Sequence, residues 1–124
     1  MINQKYKVFV FAFLLFSTTL ILSPSLAFNE RSNLVVDSNN SPYVISTFEE
    51  FNAIDVSADG MLIIASSGEI VVHWVTLNLG TIIIDGTYIH FGSLRNFGDF
   101  FERCGLFDGT GATGIRNPPT QIQC

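Results

Sequence analysis

The stretch GTIIIDGTYIHFGSLRNFGDFF, residues 80–101, places Gly80, Gly86, Gly92 and Gly98 at an unbroken six-residue interval. The same register runs back through Trp74 to Gly68 and forward to Cys104. Counted from each glycine, the third positions are Ile70, Thr76, Ile82, Tyr88, Leu94 and Phe100, and the fourth are Val71, Leu77, Ile83, Ile89, Arg95 and Phe101. A helix would set its apolar residues three and four apart and would not tolerate a glycine at every second turn. Short β segments separated by glycine bends fit this spacing. The expected fold class is therefore all-β, a short single-stranded parallel β-solenoid.

Three hexads per coil would stack Asn78 on Asn96, Ile64 on Ile82 and Phe100, Ile70 on Tyr88 and Leu106, and His73 on Phe91, and would set Asp85 beside Arg103. The regular part, Leu62 to Arg103, covers little more than two such coils. Stacked repeats need about three units, so the flanking segments must contribute. Ile82-Ile83-Ile84 and Phe100-Phe101 put apolar groups on adjacent positions, facing both ways. The outward ones predict an apolar stripe that sits against another copy or a larger envelope component.

Upstream, Thr47 followed by Glu50 has the spacing of a capping box, and Phe48, Phe51 and Ile54 share a helical face, so a short N-terminal helical cap is predicted over residues 47–54. Alternation from Ile54 to the Asp59-Gly60 turn then reads as β. Downstream of Cys104, the glycine- and proline-rich GLFDGTGATGIRNPPTQIQC predicts an irregular C-terminal cap.

At the start of the chain Lys5 and Lys7 precede the uncharged run VFVFAFLLFSTTLIL and then Ser25-Leu26-Ala27. That order predicts a signal-peptide helix over residues 1–27, cleaved after Ala27. Residues 28–42 read as a polar spacer and 43–124 as the solenoid domain with its caps. Beyond Ala27 four arginines face eleven carboxylates, a formal net charge of −7. Such a surface repels phosphate backbones, which excludes nucleic acid as a partner. Cys104 and Cys124 both lie in the exported part, where a disulfide is favoured over a metal site or free thiols.

On Gly80-Thr81-Ile82, Gly86-Thr87, Gly92-Ser93-Leu94, Asn96-Phe97-Gly98, Cys104-Gly105 and Phe107-Asp108-Gly109-Thr110-Gly111, the chain resembles the β-solenoid segments of exported prokaryotic surface proteins built from Gly-Thr-Ile or Gly-Thr-Leu hexads. The resemblance covers about residues 55–114 and implies a parallel β-helix whose cysteine-glycine element closes one end. It departs from that pattern in its large adjacent apolar residues and its few asparagines.

Few residues offer chemistry. Gly109, Gly111 and Gly114 form a G-x-G-x-x-G string, but Arg116, Asn117 and two prolines follow where a helix is required. His73 and His90 lack the coil number of a hexapeptide acyltransferase, and Asp85, Asp99, Glu102 and Asp108 do not cluster as the carboxylates of a pectin-cleaving β-helix do. No catalytic residue, cofactor or metal is expected, and the chain is read as a non-enzyme. The reading is a non-catalytic structural or adhesive module, secreted or at the cell surface. Its alternative is a carbohydrate-binding module whose aromatic platform comprises Trp74, Tyr88, His73 and His90. The partners expected are an envelope or surface component, carbohydrate, or further copies; a membrane enters only if the N-terminal segment stays uncleaved.

Overall fold

The computed structural model describes residues 31–124. The signal peptide expected over residues 1–27 lies outside them. Among the described residues twelve strands follow in order: β1 Ser32–Val36, β2 Tyr43–Ile45, β3 Phe48–Val56, β4 Met61–Ile64, β5 Glu69–Asn78, β6 Thr81–Ile84, β7 Thr87–His90, β8 Ser93–Asn96, β9 Asp99–Glu102, β10 Leu106–Asp108, β11 Gly114–Arg116 and β12 Thr120–Gln121. Every pairing is parallel and joins a strand to the one a turn later. The result is a parallel β-solenoid of about five turns.

The strands stack on three faces. The first halves of β3 and β5, with β7 and β10, make face one. β1, the second halves of β3 and β5, β8 and β11 make face two. β2, β4, β6, β9 and β12 make face three. In the hexads from Gly80, Gly86 and Gly92 the third and fifth residues point inward: Ile82 and Ile84, Tyr88 and His90, and Leu94 and Asn96. Period-two alternation turns the fourth residue out. The interior is largely aliphatic, with Leu34, Ile54 and Leu94 in one cluster with Leu62, Ile64, Ile82, Ile84, Ile70 and Val72.

The hexad glycines serve close approach, for none has a positive φ. A Cβ on Gly98 would run into the carbonyl oxygen of Gly80, and one on Gly92 into that of Trp74. Stacked corners bring backbone onto backbone, and only glycine leaves the room.

The eighteen-residue pitch holds across the middle of the fold. Asn78 pairs with Asn96, Ile82 with Phe100 and Ile70 with Tyr88. The His73 and Phe91 rings stack at 5.8 Å, and Arg103 Nε donates to Asp85 Oδ1 at 2.8 Å. Elsewhere the predicted register is corrected. Ile64 pairs with Ile84, and it is Leu62 that meets Ile82. The cause is the corner 65–68, which takes four residues where 85–86 takes two. Tyr88 meets Phe107 instead of Leu106, because the corner Arg103-Cys104-Gly105 carries one extra residue. Leu106 is turned out and left 56% exposed.

Two further expectations change. The segment read as a helical cap is β3, paired with β1 on one side and β5 on the other. Its capping-box spacing is outweighed by the backbone partners that two neighbouring strands offer. Ser32–Val36, read as spacer, is β1, with Leu34 and Val36 buried. At the other end Cys104 and Cys124 form a disulfide, closing a loop over a sequence separation of 20. Chain entropy alone assigns such a loop about 3 kcal/mol. A disulfide is the state expected in an oxidising compartment.

Candidate functional site

The corner between faces one and two carries the exposed aromatic residues closest to the predicted platform. β3 and β5 slip register between Phe51 and Ala53, so that Asn52 alone lies opposite His73 and Trp74. This two-against-one irregularity bends the strand and throws a side chain outward. Trp74 is 67% exposed. One turn on, Phe91 is 44% exposed and stacks on His73 with the ring planes 23° apart. His73 Nε2 lies 3.1 Å from Glu50 Oε2. An apolar ring surface, an imidazole and a carboxylate thus share one ridge. Aromatic faces take the apolar side of a sugar ring, and the polar pair can bond its hydroxyls.

Tyr88 and His90 do not belong to this surface, which corrects half of the predicted platform. Both occupy inward positions and are fully buried. The Tyr88 hydroxyl lies 2.6 Å from Thr76 Oγ1, which lies 3.0 Å from His90 Nε2. Burial raises the Tyr88 hydroxyl far above its ordinary pKa, an effect that its bond to Thr76 partly opposes. Burial likewise pushes the His90 imidazole down to about 4, offset in part by the Gly92 backbone. Both groups are neutral at pH 7, and the triplet is a structural link within the core. Tyr88 also packs with Phe100 and Phe107, centroids 5.5 and 5.7 Å away, toward the C-terminal end of the core.

Two residues of the ridge went unassigned in the sequence. Phe91 could have been found, since the hexad register sets it on His73. Glu50 could not, because four-residue corners displace its coil by a number of residues that no repeat announces.

A second surface lies on face three. Val44, Ile63, Ile83 and Phe101 pair one with the next across four consecutive strands. All four point outward, Val44 being 54% exposed and the others half-buried. This is the apolar stripe expected from the adjacent isoleucines. Among the described residues no group of three or more His, Cys, Asp or Glu side chains could hold a metal ion.

Comparison with protein-family models, with curated proteins and with solved structures finds no match.

Proposed function

We propose that this chain is a secreted or cell-surface β-solenoid that acts without catalysis, as a structural or adhesive module. The observation that carries the reading is the face-three stripe Val44–Ile63–Ile83–Phe101, an outward, partly exposed apolar row on a parallel scaffold. Contiguous exposed apolar surface marks an interaction site, and the stripe fits an envelope component or a second copy. The likeness of its hexads to exported surface proteins and its disulfide agree with that location.

Cell fractionation and size measurement of the mature chain test the proposal. The native protein should co-fractionate with the envelope or self-associate, and Ile83→Thr with Phe101→Thr should release a folded monomer. A native chain that is monomeric and free in the medium would sink it.

The second reading is carbohydrate recognition at the Trp74 ridge, favoured by the exposure of Trp74 beside the stacked His73 and Phe91. On a glycan array Trp74→Ala should abolish binding if that reading holds. Unchanged binding removes it.

A further inference from the structure

Face two holds a pair of arginines that its neighbours do not neutralise. Arg95 of β8 and Arg116 of β11 are register partners on adjacent parallel strands, both exposed. Strand spacing sets their backbones roughly 4.8 Å apart. Like charges directly opposite one another repel. This chain has carboxylates in plenty, yet among the described residues none lies within ion-pair distance of either guanidinium. Arg116 instead lies over the Phe97 ring, 5.0 Å from its centroid.

The pair flanks an open depression of about 360 Å³, lined also by Ser93 and Gly114. A second depression of about 360 Å³ adjoins it, sharing Ser93 and Arg95 and running over Val75 and Leu77 to Asp55. Asp55, Leu77, Arg95 and Arg116 are successive partners in one outward column. The groove therefore crosses the strands, spanning roughly 14 Å from a double cation through an apolar floor to a carboxylate.

We infer that this groove binds an acidic sugar residue of a glycan, its carboxylate bridging Arg95 and Arg116 and its ring lying over Leu77 with hydroxyls toward Ser93 and Asp55. Guanidinium forks match a carboxylate in geometry as well as charge. A bare oxyanion would fill the arginine end alone and leave the Leu77 half empty. A peptide strand gains most by pairing with a free sheet edge, whereas this groove offers side chains across paired strands. A dense polyanion is opposed by the acidic balance of the chain, so the fitting ligand carries isolated carboxylates among neutral units.

Calorimetric titration of the mature protein tests the inference, with a glucuronate-containing oligosaccharide, its neutral counterpart and inorganic sulfate as probes. The acidic oligosaccharide should bind saturably and weaken with salt, and Arg95→Gln and Arg116→Gln should each weaken it about tenfold. Without ligand Arg95→Gln should melt no lower than the native chain, since it relieves repulsion. Trp74→Ala should leave this binding intact, which separates it from the aromatic ridge. The inference fails if the neutral oligosaccharide or sulfate alone binds as well, if the arginine variants bind normally, or if Arg95→Gln lowers the melting temperature.

Discussion

The corner that leads from face two to face three changes length along the solenoid, and two of its forms, one of four residues and one of two, invite comparison. After β3, Val56 is followed by the four residues Ser57–Gly60, a turn that closes on itself through Gly60 N–H to Ser57 O at 2.8 Å. In the next turns Asn78 and Asn96 are followed by two residues each, Leu79-Gly80 and Phe97-Gly98. A two-residue corner cannot bond to itself in that way. The inward asparagine substitutes, Gly80 N–H donating to Asn78 Oδ1 at 3.1 Å and Gly98 N–H to Asn96 Oδ1 at 3.2 Å. Asn78 Nδ2 then donates to Asn96 Oδ1 at 2.8 Å, joining consecutive turns. Between faces two and three the long corner is locally satisfied with a valine beneath it, whereas the short one draws a polar ladder into the core. The short corner Asp85-Gly86, between faces three and one, instead donates both its N–H groups to the Ile64 carbonyl and keeps Ile84 beneath it.

The largest effect should come from Gly98→Val, whose Cβ has the Gly80 carbonyl in its way. Denaturant unfolding should show a loss of about 4 kcal/mol or outright failure to fold. Asp59→Ala, in the exposed part of the long corner, should stay within about 0.5 kcal/mol. Equal losses would mean that both corners are equally constrained.

Acid should then separate the two halves. His90 titrates near 4 when folded against 6.5 when exposed, so the unfolded chain binds the extra proton first. Its contribution is fully present above pH 6.5 and is lost as pH falls through 4, about 3 kcal/mol in all. His90→Gln should flatten that part of the stability profile. Hydrogen exchange near pH 4 should expose amides of β7 and β8 before those of β3 and β4, and the opposite order would contradict the buried imidazole as the weak point.

A smaller loss than either Gly98→Val or acid is expected of Asn78→Val, which copies Val56, its partner one turn earlier. Stranding Gly80 N–H should cost about 2 kcal/mol. Replacing Leu79-Gly80 by Ser-Ala-Asp-Gly in the same variant should recover part of it, as read by thermal melting. No recovery would show that corner length is not what the asparagine compensates.

The central turns were legible because their corners are all two residues long. Asn78 on Asn96, His73 beside Phe91 and Asp85 with Arg103 all follow from a constant step of eighteen. Legibility stopped where corners lengthened, at residues 57–60, 65–68 and 103–105. The candidate site divided along another line. Trp74 was recognisable by type, but whether Tyr88 and His90 shared its surface depended on which way each pointed, and alternation from Gly86 turns both inward. Their mutual bonding through Thr76 makes that burial tolerable.

By itself the sequence determined the β class, the alternation of inward and outward residues within each hexad, and the pitch wherever two-residue corners repeat, since these depend on neighbours a few positions apart. Tertiary structure alone decided that residues 48–54 join the sheet, that Glu50 reaches His73, and that Arg116 is the register partner of Arg95. Those contacts depend on the summed lengths of irregular corners, and a slip of one residue turns a side chain to the opposite face. Only the closing of complete turns on a shared core selects the register.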